Sequence, residues 1–122
     1  DLNVEWVANL VEPRLVADLH EGNVVSRIDF LGKLNTRLQE GDKLLGSFGQ
    51  VDTAWVRRNL RYFADLQLDV LTKASQGTSE VEIINQLSTD MKSAHPELDA
   101  KSLEVHQLNI QRVYRQVENM AF

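Results

Sequence analysis

Apolar residues recur every three or four positions along most of the chain, which is the spacing of an amphipathic helix. Glycine or proline lies near most ends of these stretches, and no stretch alternates as a half-buried strand would. We therefore predict an all-α fold, a single-domain bundle of about five helices over residues 1–122. The predicted helices cover residues 1–21, about 24–40, 53–77, 78–94 and about 96–122.

Individual residues define the ends of these helices. Pro13 is expected to kink the first helix, because proline removes a backbone donor and clashes with the preceding turn. Ser26 and Asp52 are expected to cap the second and third helices, and Ser79 with Glu82 forms a capping box for the fourth. Residues 41–50, GDKLLGSFGQ, contain three glycines and are expected to form a loop.

Composition places the chain among soluble globular domains. It has 122 residues, of which 43% are hydrophobic and 25% charged. The formal net charge of -5 argues against a general nucleic-acid binder, since affinity for phosphate backbones comes from clustered lysine and arginine. No apolar run approaches the roughly 20 residues of a membrane span. The sequence assigns no cellular compartment. The chain is interpreted either as a mature protein or as a domain excised from a longer one.

Few residues suggest catalytic or metal chemistry. The chain has no cysteine, which excludes disulfides, thiol catalysis and cysteine-ligated metals. Its three histidines lack a second ligand at the spacing of known zinc or di-iron motifs. The glycines of residues 41–50 match no phosphate-binding loop, and no nucleophile elbow is present. We therefore expect no metal and no cofactor, and enzymatic activity is less favoured than a binding role.

One face of the third predicted helix is rich in arginine and aromatic residues. Trp55, Arg58, Arg61 and Tyr62 fall off the apolar stripe, and tryptophan, tyrosine and arginine are enriched at binding hot spots. We expect these four residues to bind a protein partner or a second copy of the chain. The alternative is an ordinary solvated face on which Arg61 pairs with Asp65 one turn later.

Four polar residues fall on predicted apolar faces. They are Arg14, Arg27, Gln67 and His106, and Gln67 lies at the centre of the stripe predicted for the third helix. A buried polar group without a partner costs about 1–3 kcal/mol, so each must find one. If the four converge, they suit a small carboxylate held in the bundle core. The alternative is that the arginines extend to water and that the amide and imidazole bond within the core.

A partial resemblance bears on this second possibility. Arg14-Leu15, Arg37 and a helix that starts at Val51-Asp52 and carries Gln67 resemble, over about half of the chain, the secreted all-helical chorismate mutases. That resemblance implies a dicarboxylate bound between helices. The family's lysine in VAxxK is missing, because this chain has VVSRI over residues 24–28, and its Pro-Ile-x-Asp segment is missing as well.

The sequence thus favours one interpretation and leaves a second open. The favoured one is a non-enzymatic helical interaction or regulatory domain that acts through a helix face, without nucleic acid or a membrane span. The alternative is a ligand-binding bundle, a sensor or a chorismate-mutase-like enzyme, that holds a small carboxylate.

Overall fold

A computed structural model of the protein describes residues 4–119. The predicted all-α bundle of five helices is wrong, since the described chain is mixed α/β with four helices and a three-stranded sheet. Residues 1–3 of the predicted first helix and residues 120–122 of the last lie outside the described residues. The elements are β1 (Val4–Ala8), α1 (Val24–Arg37), β2 (Lys43–Gly46), β3 (Gly49–Val51), α2 (Ala54–Ser75), α3 (Glu80–Ala94) and α4 (Ala100–Glu118).

Strand β1 and the irregular segment 9–23 replace the first predicted helix. Val7 and Val11 are buried, as the helical spacing predicted, but one is a strand residue and the other belongs to the irregular segment. Val4 and Trp6 alternate with Glu5 along the strand, a period-2 signal too short to outweigh the helical spacing around it. Trp6 is 71% exposed.

The predicted loop 41–50 is largely a β-hairpin. Strand β2 pairs in parallel with β1 and antiparallel with β3, in the order β1-β2-β3. Gly46 faces Gly49 across the hairpin, which leaves Ser47 and Phe48 as a two-residue turn. A Cβ at Gly46 would overlap the carbonyl oxygen of Ala8, so this close approach of β1 and β2 requires glycine.

The other predicted helices are present, with small changes at their starts. Ser79 Oγ accepts a bond of 3.3 Å from the backbone N–H of Glu82, so the predicted serine cap of this helix is confirmed. Helix α1 begins one turn earlier than the Ser26 cap predicted, because Asn23 is its N-cap and accepts from the N–H of Ser26. The N-cap of α2 is Thr53, one residue after the predicted Asp52, whose Oδ1 accepts a bond of 2.8 Å from the N–H of Ala54.

Segment 9–23 has no regular structure, and side-chain amides pair with the backbone of its buried residues. Asn59 of α2 accepts from the N–H of Glu12 at 2.8 Å and donates to the carbonyl of Glu12 at 3.1 Å. Asn109 of α4 accepts from the N–H of Leu19 at 2.9 Å and donates to the carbonyl of Ala17 at 2.8 Å. Both asparagines are fully buried. Two helices therefore hold the segment through bonds that a strand neighbour would otherwise supply.

The end of segment 9–23 is held in the same way. Gln116 of α4 accepts from the N–H of Val24 at 2.8 Å and donates to the carbonyl of Gly22 at 2.9 Å. The guanidinium of Arg27 lies 3.4 Å from the carbonyl oxygens of Asp18 and of the residue after it. An unstructured segment of this length inside a domain is uncommon. Here it links α1, α2 and α4 and completes the core.

Candidate functional site

A groove of about 370 Å³ lies among α2, α3, α4 and segment 9–23. Its apolar side chains are Leu15, Leu66, Leu87, Met91 and Ala94. Leu66 and Leu87 are nearly fully buried and form the floor, whereas Leu15 and Ala94 are exposed at the rim. The helices thus leave between them an apolar hollow that solvent reaches.

Five charged side chains border the groove. Arg58, Arg61, Asp65 and Asp69 come from α2, and Asp90 comes from α3. No ion pair joins any of them to another side chain within residues 4–119. The intrahelical pair of Arg61 with Asp65, which a solvated face would favour, is therefore not formed. Cζ of Arg58 instead lies 4.7 Å from the ring centroid of Trp55.

The acidic side of the rim carries crowded like charges. Partial desolvation and the Asp65 carboxylate raise the pKa of Asp69, Lys73 opposes this, and Asp90 adds to it. Three or more carboxylate or imidazole groups in the right places would be needed to hold a metal ion, and residues 4–119 contain no such group. The aspartates are thus close enough to repel one another but are not arranged around a single ion. They form a diffuse negative edge.

A hydrogen-bonded chain lies at the base of the groove. The Tyr62 hydroxyl lies 2.7 Å from Nδ1 of His106, and both side chains are buried. The amide nitrogen of Asn109 donates to the Tyr62 oxygen at 3.0 Å and to the carbonyl of Ala17 at 2.8 Å. Because an amide nitrogen only donates, the Tyr62 oxygen accepts from Asn109, and its own hydrogen is directed to Nδ1. Tyr62 is therefore the donor and His106 the acceptor.

These bonds determine the protonation state of the buried histidine. An imidazole that accepts at Nδ1 is neutral and carries its hydrogen on Nε2. Burial lowers the pKa of His106, and a bond to the backbone of Leu87 opposes that shift. Burial likewise raises the pKa of Tyr62. Both side chains are thus uncharged near neutral pH, and the Tyr62 hydroxyl and Nδ1 of His106 are already bonded to each other.

The structure brings three of the four predicted partner-binding residues to this groove. Arg58 and Arg61 are exposed at its rim, and Tyr62 lies in its base. Trp55 is half-buried beside Arg58. Tyr62 was expected on the solvent face, which is wrong because the residue is only 9% exposed. The buried face of α2 is rotated towards Tyr62 and Leu66 relative to the predicted stripe.

The four predicted carboxylate-binding residues lie in different surroundings. Of these four, His106 alone lines the groove. Cζ of Arg14 lies 5.1 Å from the ring centroid of Phe48, and Arg14 is exposed. Arg27 is buried, with Cζ 5.2 Å from the ring centroid of Phe63, and burial lowers its pKa. Gln67 is half-buried and not at the centre of the buried face of α2.

The amides that the core does use are residues that the sequence analysis missed. Asn59 and Asn109 lie fully buried on α2 and α4, and each follows a buried residue by three positions, namely Val56 and His106. This helical spacing was visible in the sequence and could have identified both. The three rim aspartates carried no such signal, because their common position depends on how α2 packs against α3.

Comparison of the chain with known protein families and with curated proteins finds no match. Within the described range no helix combines the length and apolar character needed to cross a membrane. The case for function therefore depends on the groove.

Proposed function

We propose that this protein is a non-enzymatic interaction domain that binds a segment of a protein partner in the groove. The observation that carries the proposal is an apolar groove bordered by five charged side chains that form no ion pair within the described chain. Binding sites of this kind combine a desolvated apolar centre with a polar rim, and they favour arginine and tyrosine.

The length of the rim favours a polypeptide over a small molecule. Arg58 and Asp69 are eleven positions apart on α2, a distance of about 16 Å at 1.5 Å per residue. An occupant that reaches both ends must therefore span about 16 Å, which is the length of about three turns of a helical peptide. At the base, Tyr62 and His106 bond to each other, so they offer little to orient a compact polar ligand. The base therefore suits apolar side chains and the rim supplies specificity.

A matched pair of variants tests this function. Ala94 is exposed and lines the groove, whereas Ser93 is exposed and is not among its lining residues. Ala94→Trp would fill the groove without touching the buried core, and Ser93→Trp places the same bulk one position away. Each immobilised variant and the parent would be incubated with an extract of the cells that make the protein.

We expect the parent and Ser93→Trp to retain the same protein, a further copy included, and Ala94→Trp to retain at least tenfold less. Thermal melts of all three must agree within a few degrees, so that the loss reflects the groove and not unfolding. Equal retention by Ala94→Trp, or no specific retention by the parent, would contradict the proposal.

A further inference from the structure

The charges on α2 follow an order that is complementary to itself. Arg58, Arg61, Asp65 and Asp69 are spaced by three, four and four positions and so form one line along the helix, here named the charged ridge. Both basic residues precede both acidic ones. The midpoint between 58 and 69 and the midpoint between 61 and 65 both fall next to position 63. Rotation by 180° about that point therefore exchanges the basic and acidic halves.

We propose that a second copy of this chain covers the groove, with the two α2 helices antiparallel about a two-fold axis near residue 63. This proposal rests on the proposed function and names its partner. In this arrangement Arg58 meets Asp69 of the second copy, and Arg61 meets Asp65 of the second copy. The two-fold axis forms every contact twice, so two different pairs become four.

The surroundings of the ridge fit this occupant. All four ridge residues are exposed, and none forms an ion pair within residues 4–119. Leu68 is 61% exposed and lies one turn beyond Asp65 on the same side of α2. Across the two-fold axis it meets the aliphatic stem of Arg58, which can cover it while the guanidinium stays solvated. The contact thus has an apolar component beside the charged ridge, on the side away from the groove.

Net charge makes the local pattern decisive. Each copy has a formal net charge of -5, so two copies repel each other in most orientations. An orientation that sets both arginines against both aspartates replaces this repulsion with attraction. A different partner could also match the ridge, but it would not require the ridge charges to be symmetric about their midpoint.

Complementary charge reversals test the arrangement. The acidic variant carries Arg58→Asp with Arg61→Asp, and the basic variant carries Asp65→Arg with Asp69→Arg. Sedimentation velocity would be measured from micromolar to millimolar concentration for the parent, each variant and an equimolar mixture. Lys92→Asp with Lys101→Asp changes net charge as much as the acidic variant does, at exposed positions outside the groove lining.

We expect a dimer for the parent and for the lysine control. Each reversal variant alone should show a dissociation constant raised at least tenfold, and the mixture should recover a heterodimer. Circular dichroism melts verify that every variant is folded. If one reversal variant does not fold, Arg61→Asp with Asp65→Arg on a single chain replaces it, and this exchanged chain should dimerise as the parent does.

Three outcomes would overturn the proposal: a parent that stays monomeric throughout, a parent dimer that the reversals leave intact, or reversed chains that do not pair when mixed. A monomeric parent that still retains another protein in an Ala94-dependent way would remove the second copy and leave the groove function standing. A monomeric parent that retains no other protein would remove the groove function as well.

Discussion

The Tyr62 hydroxyl donates to Nδ1 of His106 at 2.7 Å and thereby joins α2 to α4 beneath the groove. Asn109 donates to the same hydroxyl at 3.0 Å and also accepts from the backbone of Leu19 at 2.9 Å. One chain of bonds therefore connects segment 9–23 to both helices. Because every bond in it has a defined donor, the loss of one member leaves its neighbours without partners.

Tyr62→Phe should destabilise the protein by about 1–3 kcal/mol. The change leaves Nδ1 of His106 and one amide hydrogen of Asn109 buried without partners, and an unsatisfied buried group carries a cost of this size. Urea unfolding of parent and variant measures the difference. Tyr114→Phe, at a half-buried position, is the matched control and should change stability by less than about 0.5 kcal/mol. Equal effects at the two tyrosines would contradict the role given to the chain of bonds.

Stability should fall as the pH is lowered through the range in which His106 titrates. Its ordinary pKa is 6.5, and burial lowers the pKa in the folded state. Between the two values the unfolded chain binds more protons than the folded one, so the free energy of unfolding decreases as pH decreases. The contribution is fully present above about pH 6.5. Urea unfolding at a series of pH values from neutral down to mildly acidic measures this slope.

His106→Gln isolates this contribution from other titrating groups. Glutamine can accept the Tyr62 bond but does not titrate. Below about pH 6.5, the free energy of unfolding of the variant should therefore change less with pH than that of the parent. Burial raises the pKa of Glu12 above its ordinary 4.5, so Glu12 acts with the opposite sign, and stability falls as pH rises through that range. Since Glu12 is present in both proteins, it cancels in the comparison. Identical slopes would show that His106 does not govern the pH dependence.

Gly46→Ala should destabilise the protein by about 1–3 kcal/mol. The added Cβ would overlap the Ala8 carbonyl oxygen and lie 3.1 Å from Val7 Cγ2, so β1 and β2 would have to separate. Gly32→Ala is the control, because a Cβ there meets nothing within 4 Å and the site is inside α1. It should stabilise by about 0.5–1 kcal/mol. Thermal melts of both variants and the parent measure these effects. A melting temperature of Gly46→Ala equal to or above that of the parent would refute the strand contact.

The sequence predicts the four helices well because long amphipathic patterns with capping residues determine them locally. Ser79 and Asp99 cap α3 and α4 through bonds to residues three positions later, and such short-range contacts can be inferred from sequence. The sheet could not be predicted in the same way. Its strands have three to five residues, and β1 pairs with β2 across α1, so the pairing depends on long-range contacts.

The sequence predicts only part of the candidate site, because spacing along one helix determines some of its residues and packing between helices determines the others. Arg58 and Arg61 were identified because their position on one helix follows from spacing alone. Asp90 joins them only through the packing of α3 against α2, which no local pattern specifies. Tyr62 was placed on the wrong face, because the predicted stripe of α2 was centred at Gln67 and the buried face runs through Asn59, Phe63, Leu66 and Val70.

Asn59 and Gln67 give the sharpest test of how α2 is buried. Asn59 is fully buried and bonds both backbone groups of Glu12, so Asn59→Leu should cost about 1–3 kcal/mol for each group left unpaired. Gln67 is half-buried at the edge of the same face. Gln67→Leu should be neutral within about 0.5 kcal/mol or slightly stabilising, since it adds apolar area without breaking an interior bond.

Urea unfolding and amide hydrogen exchange of the two leucine variants would separate these roles. In Asn59→Leu we expect faster exchange at Glu12 and its neighbours in segment 9–23, because the two bonds from Asn59 to the Glu12 backbone are lost. In Gln67→Leu exchange there should match the parent. If Gln67→Leu lowered the stability more than Asn59→Leu did, the core would depend on Gln67, and the role given to the two Asn59–Glu12 bonds would be wrong.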